Sequence, residues 1–281
     1  MTPSYLVVDQ NQLRAEALRE RIEREPSLRL VLPDLGMFEM AKSSNRELTL
    51  RLSLEILSDH ANRVYVSRAV SECLRYELTR AVPVVGHVIN SEATKFLRKL
   101  LASVASGHRT AEFYRVVADP EGHLSGLRRD YLDHDANKLR ALELVEETKR
   151  GMPREFAERL RASQASVAEK IDFVYLKAPS LLVSVLEDNG FSGGRASRLV
   201  RQKSMLLRYF FVKLWTCLCW EEQGRIEGLG AAKVSNDLID HEYVLAATFF
   251  DGILSAESAV NDAYKAVTTL LARASQETPS K

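Results

Sequence analysis

Short apolar runs of β type at both ends of the chain constrain its fold most. Tyr5-Leu-Val-Val8, Leu28–Leu32 and Val64-Tyr-Val-Ser67 lie early, and Gly252-Ile-Leu-Ser255 lies close to the end. The segments that follow them read as helices. Asn11–Arg24 is charged and is closed by Pro26, and Asp34 is placed to cap a helix carrying Leu35, Phe38 and Glu39. Leu48–Leu57 has leucines at helical spacing; Ser71–Arg80, Asn236–Phe250 and Ser258–Arg273 also read as helix. Strands alternating with helices predict βαβ units and a parallel sheet.

Between about residues 86 and 232 the strand signal disappears. Apolar residues recur at helical spacing, with breaks expected at Asp119-Pro-Glu-Gly122, Gly151-Met-Pro153, Pro179 and Asn189–Gly194. Five or six helices are expected. The greasiest stretch, Leu206–Trp220, carries Arg208 and Lys213 and is shorter than the roughly 20 residues of a membrane span, so it is expected to be a core helix. The expected architecture is an α/β domain built from residues 1–85 and 233–275, interrupted by a helical insertion at 86–232.

Thirty-nine basic residues stand against 38 acidic ones. There is no global positive field, so a nucleic acid would have to be held by a local patch. Cys73, Cys217 and Cys219 lack the spacing of a zinc site or of a disulfide framework. Buried reduced thiols are expected, which suits a reducing compartment. No secretory signal is legible, and a cytoplasmic protein without a membrane partner is the expectation.

In a parallel sheet, ligand sites lie at the carboxyl ends of the strands, and acids recur there. Asp9 directly follows the first run. Glu39 lies one turn into the helix after the second, among Leu35, Met37, Phe38 and Met40. Asp237 and Asp240 share a helix face, with Glu242 about 200° round from Asp240. Glu257 follows the last run. For each acid a bland role exists, as a helix cap, an exposed charge or a favourable charge at a helix amino end. Drawn together, they would repel one another and take up protons unless a hard divalent cation intervened.

The pattern resembles the PIN-domain family of metal-dependent ribonucleases. Asp9 resembles the family's first acid and Glu39, in Pro33-Asp-Leu-Gly-Met-Phe-Glu39, its second. Asn236-Asp-Leu-Ile-Asp-His-Glu-Tyr-Val-Leu-Ala-Ala-Thr248 resembles the helix of the third acid. Asp240 is the better fit there, and Glu242 is the alternate. Asp251-Gly-Ile-Leu-Ser-Ala-Glu-Ser258 resembles the strand-to-turn segment, with Glu257 where the family usually has Asp. The resemblance covers roughly residues 3–85 and 233–270 and leaves out the helical middle.

What it implies is a PIN-like three-layer α/β/α fold and a metal-dependent endoribonuclease, acting in the cell as a toxin, a defence effector or an RNA-processing enzyme. Asp9, Glu39, Asp240 and Glu257 would form the catalytic centre. They would bind Mg²⁺ or Mn²⁺, with Asp237 and Glu242 as further metal ligands, and Asn11, Ser255 and His241 would support them. RNA, often tRNA, is the implied substrate; an inhibitor protein or a second copy of the chain is an implied partner. The alternative is a degraded PIN-like scaffold that binds RNA or protein, and Glu257 is the feature that favours it.

A polyanion would need a grip. Arg195, Arg198 and Arg201 recur at i, i+3, i+6 with Lys203 beyond and no acid between them. They are the expected RNA-binding face, and a solvated helix face is the plainer alternative. Lys95, Arg98 and Lys99 are a second candidate. The histidines at 60, 87, 108, 123, 134 and 241 lack the i, i+4 pairing of a helical zinc site. His241 lies within the acid run, whose charges are expected to favour its protonation.

Overall fold

The computed structural model describes residues 2–41, 45–84, 86, 88–107, 110–118 and 133–276, with the side chains of residues 38 and 41 outside that set. The expected break at 119–122, His87, His108, His123 and the tail at 277–281 therefore lie outside the described residues. The chain is mostly helical around a small parallel sheet. Its strands are β1 (Ser4–Val8), β2 (Leu28–Leu32), β3 (Val64–Val66) and β4 (Gly252–Leu254), in the order β3-β2-β1-β4. All three pairings are parallel: Leu6 is opposite Leu30, Leu30 opposite Val64, and Val7 opposite Ile253.

The strands are apolar on both sides, and successive side chains point to opposite faces. Leu6, Val8, Leu30, Leu32, Val64 and Val66 enter one core with α1 (Glu16–Arg24), α3 (Arg46–Ser58), α5 (Ser91–Ser106) and Phe113 of α6 (Ala111–Ala118). Val7 and Val31 face the other way. There they meet Leu35 of α2 (Asp34–Ala41) and Ile239, Tyr243, Ala246 and Ala247 of α12 (Ala231–Ala247). Helices thus cover both faces of the sheet.

The remaining helices are α4 (Val70–Arg80), α7 (His134–Lys149), α8 (Arg154–Arg161), α9 (Val167–Asp188), α10 (Gly193–Arg201), α11 (Met205–Glu222) and α13 (Ser258–Gln276). All but α7 build a second core around α11, which is apolar nearly all round and buried accordingly, and α7 packs on α11 in a smaller cluster of Ala141 and Val145 with Cys217 and Trp220. The packing does not follow the division expected at residues 85 and 86. Leu97, Leu100 and Leu101 of α5 pack onto the sheet, while Val244 and Leu245 of α12 pack with the helical block.

A second expectation is corrected at Pro179, which lies inside α9 and not at its end. A proline there removes one backbone hydrogen bond. The i+4 stripe Val174, Ala178, Leu182, Leu186 is buried on both sides of it, so packing keeps the helix continuous. A Ser166–Glu169 capping box fixes its start. Among the described residues, no helix is long and apolar enough to cross a membrane.

Sequence reasoning missed the role of Glu77. Fully buried on α4, its carboxylate accepts backbone N–H bonds from Val84 (2.9 Å), Met205 (3.0 Å) and Leu206 (2.8 Å). It thereby caps α11, a helix more than a hundred residues away in sequence. Burial raises its pKa, opposed by these hydrogen bonds.

Candidate functional site

Asp9 stands at the carboxyl end of β1 because its own N–H continues the ladder, donating to Leu254 O of β4 at 2.9 Å. Its side chain is 4% exposed. Oδ1 accepts the Asn11 N–H at 3.4 Å, capping the short turn Gln10–Gln12, and Oδ2 accepts the Ser255 hydroxyl at 2.7 Å. The Ser255 Oγ in turn accepts the Glu257 N–H at 3.1 Å, and Asn11 Nδ2 donates to Glu257 Oε1 at 3.0 Å. Asp9, Asn11, Ser255 and Glu257 therefore close a ring of hydrogen bonds across β1 and β4, joining the two ends of the chain.

Glu39 approaches from α2. Its Oε2 accepts the Tyr243 hydroxyl at 2.6 Å. That phenol is almost wholly buried, between the sheet and α2. Asp240 lies one turn before Tyr243 on α12. Its carboxyl is pushed up to about 8, first by burial and then by the charges of Glu257, Asp9, Asp237 and Glu39. The strand ends, α2 and α12 thus bring four acids from opposite ends of the sequence within electrostatic reach of one another, with Asp237 a turn behind.

The other expected ligands are placed differently. Both oxygens of Asp237 are occupied: Oδ1 by Lys233 Nζ at 2.7 Å and Oδ2 by the Trp220 indole N–H at 2.8 Å. Glu242 lies on the α11 side of α12, where its charge acts on Tyr209 and Lys213. His241 is turned the same way and is buried. Its Nε2 lies 2.6 Å from Thr216 Oγ1, and its Nδ1 lies 3.4 Å from Lys213 Nζ. The Thr216 hydroxyl already donates to Val212 O, which fits a neutral ring carrying its proton on Nε2. Burial and the Lys213 charge hold the imidazole well below its usual pKa. The expected protonation is therefore reversed, because burial and the Lys213 ammonium, rather than a neighbouring acid, dominate the surroundings of the ring.

The donor set suits a hard divalent ion, since every group is an oxygen and a proton already replaces one negative charge at neutral pH. As the side chains stand, no group of three or more acids, histidines or cysteines among the described residues is arranged to hold a metal.

A groove of about 610 Å³ opens beside Asp240, between α9, α11, α12 and α13. It is lined by Lys170, Lys233 and Lys265, but also by Glu222, Asp237, Asp240 and Asp262. Each lysine is paired with an acid, at 2.6, 2.7 and 3.6 Å respectively, so the groove presents no net positive wall to a polyanion.

Arg195, Arg198 and Arg201 are exposed on α10. Arg195 lies over the Phe191 ring and Arg198 donates to Gln202. None of the three makes an ion pair with a described residue. Lys203 donates to the Ser275 hydroxyl on α13. Because α13 begins beside Glu257, this end of the basic face lies about 25 Å along that helix from the acids, at 1.5 Å per residue. The second basic candidate is taken up internally. Arg98 donates to the Asn62 and Val64 carbonyls, Lys95 pairs with Glu92, and Lys99 lies 3.8 Å from Glu112.

Comparison with family models, with curated proteins and with solved structures finds no match to this chain.

Proposed function

We propose that the chain is a PIN-like, metal-dependent endoribonuclease that hydrolyses RNA phosphodiester bonds. One observation carries the reading: Asp9, Glu39, Asp240 and Glu257 come within electrostatic reach of one another at the carboxyl edge of a parallel sheet, where burial first and their mutual charge second raise the Asp240 carboxyl to about 8. Asp9, Glu39 and Asp240 would hold Mg²⁺ or Mn²⁺, and Glu257 would contribute from the rim. When bound, such an ion supplies a Lewis acid for the phosphate and a more acidic water. The chain's own groups do the remaining work. Ser255 and Asn11 orient the Asp9 and Glu257 carboxylates, and Tyr243 orients Glu39. The arginines of α10 would hold flanking phosphates.

Incubated with a mixed tRNA pool, the protein is expected to cleave in Mn²⁺ and not in chelator. Asp9→Asn should reduce the rate by about 100-fold or more, the scale on which loss of one group stabilising developing charge acts. Activity that survives equally in Asp9→Asn and in Asp240→Asn preparations would come from a contaminant and would remove the support for catalysis.

A second reading, a degraded PIN-like scaffold that binds RNA or protein, is favoured by the absence of a ready-made three-ligand group among the described residues. RNA binding without cleavage or Mn²⁺ binding would select it. In either reading the basic face is testable. Changing Arg195, Arg198 and Arg201 together to Glu should weaken RNA binding and lower the slope of log affinity against log salt by about 2. Mn²⁺ binding should be unchanged. Equal RNA affinity in the triple variant would show that α10 is only a solvated surface.

A further inference from the structure

Three elements carry the candidate ligands: the turn after β1, α2 and α12. One hydroxyl joins α12 to α2 and lies near the turn. Tyr243, on α12, donates to Glu39 Oε2 on α2 at 2.6 Å, and its oxygen feels the backbone dipole of Gln10, the residue after Asp9. The ring is fixed in the core with Val7, Val31 and Leu35, so the oxygen has little freedom to move. Gly36 on α2 makes room for it: a β-carbon there would stand 3.3 Å from the Tyr243 hydroxyl.

We propose that Tyr243 is a positioning residue, whose hydroxyl ties the Glu39 carboxylate to the helix that carries Asp240 and so restrains it when a divalent ion binds. The inference rests on the metal-centre reading and adds to it a residue that never touches the ion. A phenol is well suited to this role. It has one proton to give to Glu39, and its rigid ring transmits the position of α12 to that carboxylate. Without it, the three elements would remain packed by their apolar residues, but the Glu39 carboxylate would lose its tie to α12. Hydrogen-bond partners that orient metal ligands typically contribute about 10–100-fold in affinity.

The test is a double-substitution cycle read by Mn²⁺ calorimetry on the full chain, with melting in chelator as the control for folding. Tyr243→Phe should keep the melting temperature close to wild type while weakening Mn²⁺ binding about 10-fold. In a Glu39→Gln background the same change should have a much smaller effect. Gly36→Ala, which crowds the hydroxyl and leaves the ring in place, should reproduce the loss if Tyr243→Phe proves unstable. Wild-type affinity in both variants would overturn the role of Tyr243 while leaving the metal centre standing. An undiminished effect of Tyr243→Phe in the Glu39→Gln background would also overturn it. A wild-type protein that binds no Mn²⁺ would sink the metal reading and this inference together.

Discussion

Asp240→Asn is expected to melt higher than the wild type at about pH 8 in chelator, and to gain no stability from Mn²⁺. The sign follows from the direction of the shift. The Asp240 carboxyl titrates near 8 in the folded protein, against an ordinary 3.8, so the folded state binds a proton that the unfolded chain has already lost. Its stabilising contribution is complete below about pH 4 and is lost as the pH rises through about 8. Above that, four carboxylates face one another. A neutral amide escapes the penalty. The full shift corresponds to several kcal/mol at about 1.4 kcal/mol per unit. Partial exposure and ionic screening reduce it to about 2 kcal/mol, or about 5 °C for a chain of this size. Melting curves from about pH 5 to about pH 9, with and without Mn²⁺, would show it. Superimposable pH profiles for the variant and the wild type would mean that the acids do not crowd, and the proposed centre would lose its physical basis.

The second large effect lies far from the acids. Glu77→Ala leaves the Val84, Met205 and Leu206 N–H groups buried without their acceptor. At about 1–3 kcal/mol for each unsatisfied group, the loss approaches the whole stability of a typical domain, about 5–15 kcal/mol. The variant is expected to lose its cooperative melting transition in far-UV circular dichroism. Glu77→Gln keeps one acceptor oxygen and should recover a transition below that of wild type. Burial raises the Glu77 pKa, so the stability contributed by its protonation is lost as the pH rises through the folded value. The glutamine variant should accordingly close part of the gap at high pH. An alanine variant melting within about 3 °C of wild type would show that α11 does not depend on this cap.

These two residues also mark what could be read from the sequence. The positions of Asp9 and Glu257 at the sheet edge are legible because they are local: an apolar run ends, and an acid follows; Glu39 lies a turn into the helix after the second run. Asp240 is legible as one of a cluster, but the cluster cannot be sorted by inspection. Asp237, Asp240, His241 and Glu242 lie on a helix that is apolar around most of its surface, so periodicity does not say which side meets the sheet and which meets α11. Only the packed α11 shows that Thr216 and Lys213 take His241 while Trp220 takes Asp237. The spacing of Lys233 to Asp237 and of Asp240 to Tyr243, one helical turn in each case, is a signal that could have been used. Glu77 left no such signal. Its partners are backbone groups, two of them about 130 residues away, and backbone donors have no sequence signature.

The helix bearing Asp240 belongs to two hydrophobic cores. Ile239, Tyr243 and Ala247 lie against the sheet, whereas Val244 and Leu245 are embedded in the helical block. The helix that finishes the interior of the sheet domain therefore also bears residues that would be solvent-facing if the block were excised. A minimal sheet domain made by joining residue 85 to residue 233 would strip one wall from the helix that carries Asp240. For the same reason, a ligand or partner that shifted the block as a body would carry Asp240 with it, changing its distance from Asp9 without touching either residue.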